Sequence, residues 1–384
     1  MSKNKNNFSA AVATIIGTSV GAGVFGIPYA ILKVGFLYGL IYFIVLGTFI
    51  VVTTLCYTEV VVRTKKKMFL PGYAKKYLGK WGKFFGITSM VIGIYSALIA
   101  YTIGVGDFLY NLLSPYLGGS ERIYAIIFYV ICAIIVFFGI KAVAKTEKIM
   151  VFLLLIMMAI FVIIGFTKLD LSNLMVRSGA NFADYIMPYG VLLFALGASS
   201  VVPEVEELLK NDKKRIKKAV ILGITVPILI YVIFAFIVVG VNGLDVTESS
   251  VIGLSQELGD IVLVVGGIFG ILAMTTSFLS LGVVLKDTYQ HDYKIKKPLA
   301  WGLVVIVPMV IYLLNFVSFV QILAIAGTIM GGIEGILMVL MYIKSKKQGD
   351  EPKPAFSLKI PKVFLLSMMV VFIVGLIYQV VILI

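Results

Sequence analysis

The sequence predicts an all-α integral membrane protein of eleven transmembrane helices, arranged as two inverted sets of five plus one extra C-terminal helix. Three observations lead to this prediction. The 384 residues are 60% hydrophobic and their mean hydropathy is +1.07, more apolar than a soluble domain requires. Eleven apolar segments each approach or exceed the roughly 20 residues needed to cross a bilayer. Helix-breaking residues also interrupt the first and sixth segments at matching positions.

The segments follow one another with short polar connections and no separate soluble domain, so residues 1–384 form one transmembrane domain. The first repeat covers about residues 8–167 and the second about residues 185–343. The extra helix covers about residues 361–384. The predicted spans are residues 8–32, 36–62, 82–113, 121–140, 147–167, 185–209, 217–241, 258–286, 298–315, 318–343 and 361–384.

The basic residues indicate how the chain is oriented. If the N-terminus is cytoplasmic, 29 of the 33 Lys and Arg residues fall on the cytoplasmic side, as the positive-inside rule requires. The C-terminus then lies outside a plasma membrane. The net charge of +14 does not indicate nucleic acid, because the lysines lie in short loops rather than on a basic face with interleaved aromatics.

The first interruption extends from Gly17 to Pro28, in the middle of span one. Glycine and proline disfavour a helix, so backbone groups are left unpaired where lipid cannot satisfy them. A half-helix that restarts there presents N–H donors and a positive dipole end, which suit a carboxylate. The alternative is that the glycines only permit close helix packing. The substrate-binding candidates in this stretch are Gly17, Thr18, Ser19, Gly21, Ala22 and Gly23.

The second interruption follows Phe194 in span six, with Pro203 suited to the first turn of a new helix. The carbonyls before this break, from Phe194, Ala195 and Leu196, could accept hydrogen bonds from an ammonium group. Donors for an anion and acceptors for a cation a few ångströms apart match an amino acid zwitterion. Tyr101 in span three could add a hydroxyl for the substrate carboxylate, although an aromatic residue packed in the bundle is the alternative.

Two further groups are candidates for ion coupling. In span eight, the Thr276 and Ser277 hydroxyls and the Ala273 carbonyl could join the Gly17 and Val20 carbonyls around a sodium ion. The alternative is that these hydroxyls bond to carbonyls of their own helix. Glu334, near the middle of span ten, is a candidate proton carrier, because an acidic group in the membrane is costly unless it is functional or paired. A hydrogen-bonded structural glutamate is the alternative.

Several stretches then resemble the amino acid/auxin permease family, near the hydroxy/aromatic amino acid permeases of the amino acid–polyamine–organocation superfamily. They are Gly17 to Pro28, the run from Val202 to Lys210 with Lys218 to Gly223, and Thr276 to Gly282 ending at Asp287. The resemblance covers nearly the whole chain. It implies a LeuT-type fold, alternating access, and a sodium site at Gly17, Val20, Ala273, Thr276 and Ser277.

In some proton-coupled relatives a lysine in span five replaces the sodium ion. Span five has no lysine between residues 149 and 166 here, which favours sodium, but the coupling ion stays open between Na⁺ and H⁺. Gly197 stands where more distant relatives carry a serine, and this enlarges the pocket enough for a branched or aromatic side chain.

The sequence therefore predicts a cation symporter that imports neutral amino acids and needs no cofactor. A receptor on the same scaffold, which binds amino acids without transporting them, is the alternative. An enzyme is not expected, because the chain has one loop histidine, no cysteine pair and no paired acids at catalytic spacing.

Overall fold

The computed structural model describes residues 2–138, 147–179, 181–291, 293–352 and 354–383, and its described part is all-helical apart from short connections. The predicted ends of the fourth and eleventh spans, at residues 139–140 and 384, lie outside the described residues. The helices are α1 (Ser2–Ser19), α2 (Gly23–Val34), α3 (Phe36–Val62), α4 (Leu70–Leu117), α5 (Glu121–Phe138), α6 (Glu147–Gly165), α7 (Phe182–Ala195), α8 (Val202–Leu208), α9 (Ile216–Asn242), α10 (Ser250–Leu258), α11 (Asp260–His291), α12 (Lys297–Leu313), α13 (Phe319–Gln348) and α14 (Lys362–Leu383).

Nine helices in the described ranges are long and apolar enough to cross a membrane, or ten if α1 and α2 together form one span. The helix α12 is also apolar but has 17 residues, which is shorter than the others. The segment from Phe182 to Leu208 contains both α7 and α8, and by its length and hydropathy it counts as one candidate span. The count of eleven spans therefore stays a prediction.

Two elements differ from the predicted pattern. The helix α4 begins at Leu70 instead of residue 82, and it kinks at Gly79, whose φ of 78° is left-handed. The short helix α10 occupies a stretch predicted to be a loop. Both additions are half-polar, and a hydropathy criterion for spans does not detect such helices.

The helix α13 is the most enclosed of the candidate spans. In its most apolar 18-residue stretch 61% of the residues are buried, compared with 28% in α14. Glycines allow this enclosure. A Cβ built on Gly327 would lie 1.8 Å from the Gly190 carbonyl oxygen of α7, and one on Gly335 would lie 2.6 Å from the Phe372 ring of α14. The backbones of α7 and α13 therefore touch directly, as small residues permit in membrane bundles.

A buried carboxylate ties the end of α3 to the connection between α13 and α14. Glu59 has no exposed surface, and its Oε1 accepts a hydrogen bond of 2.8 Å from Arg63 Nε. Its Oε2 accepts one of 2.6 Å from the Leu358 backbone N–H, and Ser357 Oγ lies 3.2 Å from Oε1. The connection that follows α13 is therefore held against the bundle by a fully enclosed ionic group.

Candidate functional site

The first predicted interruption separates α1 from α2. The helix α1 ends at Ser19, α2 begins at Gly23, and the two axes are bent by 57°. The Val20 N–H still donates to Ile16 O at 2.9 Å, so the helical hydrogen bonding of α1 continues up to the break. Ala22 is fully buried and Gly21 is half-buried at the start of α2. The sequence predicts the backbone N–H donors for an anion at this start of α2.

The second predicted interruption separates α7 from α8. The helix α7 ends at Ala195, and a 3₁₀ turn over Ser199–Val201 leads into α8 at Val202. Pro203 lies in the first turn of α8, where its missing N–H has no helical partner to lose. Gly197 N–H donates to Phe194 O at 3.3 Å, so the Phe194 carbonyl already has one donor.

The two interruptions are in direct contact. A Cβ built on Gly23 would lie 2.5 Å from Ala195 Cβ and 2.7 Å from Ala195 Cα. The start of α2 therefore lies against the end of α7 with no room for a side chain between them. Gly23 serves as a close-packing position at this point, and it places the positive end of α2 next to the negative end of α7.

A residue that the sequence analysis did not single out joins the same two ends. The Tyr231 hydroxyl, on α9, donates to Ser19 O at 2.7 Å and lies 3.3 Å from Ala195 O. Tyr231 is completely buried. It is one of 20 tyrosines in the chain, and it lies in a helix without any other polar feature nearby, so the sequence holds no signal that could have identified it.

Tyr101 lies where the first interruption, α4 and α11 meet. Its hydroxyl oxygen is 3.7 Å from the position of a Cβ on Gly21, and the Tyr101 side chain lies beside that of Ser277. Tyr101 is 5% exposed. The structure thus brings one predicted substrate residue next to the first break and next to one member of the predicted sodium site.

Most of the other candidate hydroxyls bond within their own helices. Thr18 Oγ1 donates to Thr14 O at 2.8 Å and Ser19 Oγ donates to Ile15 O at 3.0 Å. Thr276 Oγ1 donates to Ala273 O at 3.0 Å. These oxygens keep lone pairs that could face an ion. Among the described residues, no three His, Cys, Asp or Glu side chains are grouped as a metal site would require.

Glu334 joins three separate elements. Its Oε2 accepts a hydrogen bond of 2.6 Å from Ser199, which lies in the second interruption, and its Oε1 accepts one of 3.2 Å from Ser89 on α4. Both serines are buried. The carboxyl group borders a cavity of about 40 Å³, which is large enough to hold a water molecule. Thr53 and Thr54 of α3 also line this cavity.

Glu334 is evident from the sequence, but neither serine that contacts it is. Ser199 lies in the predicted break with no role indicated by the sequence, and nothing in the sequence distinguishes Ser89. Serine is a common residue in membrane helices, so the contact of Ser89 with Glu334 becomes evident only once the packing of α4 against α13 is known.

Comparisons with known proteins give the family and the fold. The model of the tryptophan/tyrosine permease family matches residues 4–380. The tyrosine-specific transport system 1 of Haemophilus influenzae is 22% identical over 360 residues, with 87% of each chain covered. The glutamine transporter 2 of Aliivibrio fischeri is 22% identical over 346 residues, covering 87% of this chain and 88% of that one.

A second tyrosine-specific transport system of Haemophilus influenzae is 27% identical over 307 residues, covering 74% of this chain and 72% of that one. Among solved structures, MhsT in complex with L-phenylalanine superposes with a TM-score of 0.69 at 16% identity, and 97% of each chain is covered. MhsT has the LeuT fold, so this likeness shows the same fold in the present chain. With its all-helical fold and a family match over nearly its whole length, the chain belongs to the tryptophan/tyrosine permease family, a family of amino acid transporters.

Proposed function

We propose that the protein is a cation-coupled symporter that imports neutral amino acids, with room for aromatic or branched side chains, by alternating access. The observation that carries this proposal is the contact between the two interruptions, where Gly23 at the start of α2 meets Ala195 at the end of α7. Helix ends of opposite polarity beside each other in the bundle can hold both charges of a zwitterion. Tyrosine and glutamine transport in the relatives, and phenylalanine in the MhsT complex, support a neutral substrate.

The substrate carboxylate would bind at the start of α2, where Gly21, Ala22 and Gly23 supply backbone N–H groups. The Tyr101 hydroxyl, beside Gly21, would donate to the same carboxylate. The ammonium group would bind the carbonyls at the end of α7, from Phe194, Ala195 and Leu196. Gly197 would leave space for the substrate side chain.

Two groups are proposed for coupling. A sodium ion would be held by the carbonyls of Gly17, Val20 and Ala273 with the hydroxyls of Thr276 and Ser277. Ser277 lies beside Tyr101, so a sodium ion bound at Ser277 would act on the substrate carboxylate through the Tyr101 hydroxyl.

Glu334 is the proposed proton-coupling group. Its carboxylate accepts from Ser199, which is part of the second interruption. Protonation would turn one oxygen into a donor and change this hydrogen bond. The charge state of Glu334 would thus act directly on the segment between α7 and α8.

The proposed architecture has eleven spans, with α1–α2 and α7–α8 as the broken first members of repeats over about residues 8–167 and 185–343. The last span, about residues 361–384, lies outside the repeat. The N-terminus would be cytoplasmic and the C-terminus outside the plasma membrane, because 29 of the 33 basic residues then lie inside.

Uptake into proteoliposomes tests the proposal. Labelled tryptophan, tyrosine, leucine, glutamine and alanine would be offered under an inward sodium gradient, an inward proton gradient, or neither. We expect accumulation of at least one of these amino acids that requires one of the gradients. Binding without accumulation, seen as thermal stabilisation by the same amino acids, would instead support a receptor. Neither uptake nor binding would refute both functions.

A further inference from the structure

Two backbone carbonyls from different helices point at one hydroxyl in the centre of the bundle. Ser19 is the last residue of α1 and Ala195 is the last residue of α7. Their carbonyl oxygens lie 2.7 Å and 3.3 Å from the Tyr231 hydroxyl. Ser19, Ala195 and Tyr231 are 3%, 1% and 0% exposed. Because carbonyls in the last turn of a helix have no helical partner, these two depend on the phenol.

This arrangement has an electrostatic cost that the hydroxyl must offset. The C-terminal end of a helix carries a partial negative charge, so the ends of α1 and α7 repel each other where they converge, and the positive start of α2 beside Ala195 offsets only part of this repulsion. Burial strengthens the repulsion, since water does not screen it. A phenol has one proton to share between two acceptors. A position between two carbonyl oxygens at the C-terminal ends of two helices is one that would otherwise attract a monovalent cation.

The helix α9 holds the hydroxyl rigidly at this point. Two turns before Tyr231, Gly223 lies against α1, where a Cβ would be 2.6 Å from Ile15 Cβ. One turn after Ile15, Ser19 ends α1. The two helices therefore run in contact up to the break. Phe234 stacks on Phe161 of α6 at 6.0 Å and fixes the next turn.

We propose that Tyr231 is a positioning residue whose hydroxyl stands in for a cation between the Ser19 and Ala195 carbonyls and so holds the two interruptions together. Amino acid binding then needs no ion at this point, and any coupling ion must bind elsewhere. The part of the proposal that concerns amino acid binding rests on the proposed function. The part that concerns the two carbonyls does not.

The first experiment compares Tyr231→Phe with Tyr129→Phe. Tyr129 is the matched control, because its buried hydroxyl also donates to a carbonyl, Val305 O at 2.6 Å, but between α5 and α12 instead of at a helix interruption. The melting temperature of each purified protein is measured without amino acid in choline chloride, and again in LiCl, NaCl and KCl. We expect the metal cations to raise the melting temperature of Tyr231→Phe by about 2–4 °C and to leave Tyr129→Phe at the wild-type response.

Two outcomes of the melting-temperature measurement would contradict the proposal. If Tyr231→Phe responds to cations no more than the wild type, or if both variants respond equally, the proposal is overturned. Because no amino acid is present, these outcomes do not depend on whether the protein is a transporter. A separate binding measurement with L-tyrosine should show roughly tenfold weaker binding for Tyr231→Phe in choline chloride, with recovery in the most stabilising metal chloride.

A second pair of variants keeps the proposal testable if Tyr231→Phe does not fold. Tyr231→Lys and Tyr231→Met have side chains of similar reach, but only lysine brings a positive charge. A buried charge is normally far more destabilising than a thioether. If the site accepts a cation, Tyr231→Lys should give the higher yield of monodisperse protein and the higher melting temperature. Methionine equal to or better than lysine, including failure of both, would overturn the proposal.

Discussion

Gly23 and Ala195 lie so close that a single methyl group on Gly23 would overlap the Ala195 backbone, with Cβ–Cα and Cβ–Cβ separations of 2.7 and 2.5 Å. Neither backbone can yield easily, because each is the end of a packed helix. The contact brings the start of α2 and the end of α7 together, and the proposed zwitterion site depends on it.

Gly23→Ala should separate the two interruptions. Overpacking a tight contact costs about 1–3 kcal/mol, and the displacement would fall at the proposed carboxylate and ammonium sites. We expect at least a tenfold loss of amino acid uptake, measured in proteoliposomes with equal amounts of reconstituted protein. Gly302→Ala is the control, since a Cβ there would meet only Ile306 Cδ1 at 3.6 Å. Equal uptake by both variants would mean that the contact does not shape the site.

Glu334→Gln should abolish the response of uptake to a proton gradient while leaving a folded protein. Glutamine keeps the shape and can still bond to Ser199, but it cannot exchange a proton. Uptake is measured across a series of external pH values with and without an imposed gradient. Asp107→Asn serves as the comparison, because Asp107 is also an acidic residue within a membrane helix but bonds locally to Asn111 at 3.1 Å. A wild-type pH profile in Glu334→Gln would exclude this residue from coupling.

Ser277→Ala and Thr276→Ala should weaken sodium stimulation, because each removes one proposed ligand oxygen. The sodium concentration for half-maximal uptake should rise roughly tenfold, the effect of losing one interaction with a charged group. Ser277→Ala should also raise the KM for the amino acid, since Ser277 lies beside Tyr101, the proposed donor to the substrate carboxylate. Thr275→Ala is the control, because Thr275 is the neighbouring hydroxyl on α11, donates to Ile271 O at 2.5 Å and is not among the proposed ligands. If all three variants respond to sodium alike, the proposed site is wrong.

Glu59→Gln should destabilise the protein without acting on the ion or substrate sites. Removing the charge leaves Arg63 buried without its carboxylate, and breaking such a pair costs about 3–5 kcal/mol. The measurement is the melting temperature in detergent, together with the KM of any protein that folds. Glu207→Gln is the control, because Glu207 pairs with Lys67 at 2.9 Å but its side chain is 60% exposed. A normal melting temperature for Glu59→Gln would show that the buried cluster is dispensable.

Several helix boundaries lie close to the positions that the sequence predicts. Glycine and proline act on the backbone locally, so the Gly17 to Pro28 stretch and Pro203 are sufficient to indicate where α1 ends and where α2 and α8 begin. Glu334 could also be found from sequence, because a carboxylate in an apolar span is conspicuous. The helix from Leu70 to Gly79 was missed, since its lysines hide it from a hydropathy criterion.

Apolar composition and local helix-breaking residues were thus enough to indicate that this chain is a helical membrane protein and where its helices are interrupted. Only the tertiary structure decided which side chains meet at those interruptions. Tyr231 donates hydrogen bonds to the ends of α1 and α7, and Ser89 and Ser199 donate to Glu334. The physical reason is that lipid-facing and buried faces of a membrane helix are both apolar. The amphipathic pattern that orients a helix in a soluble protein is therefore too weak to indicate its neighbours.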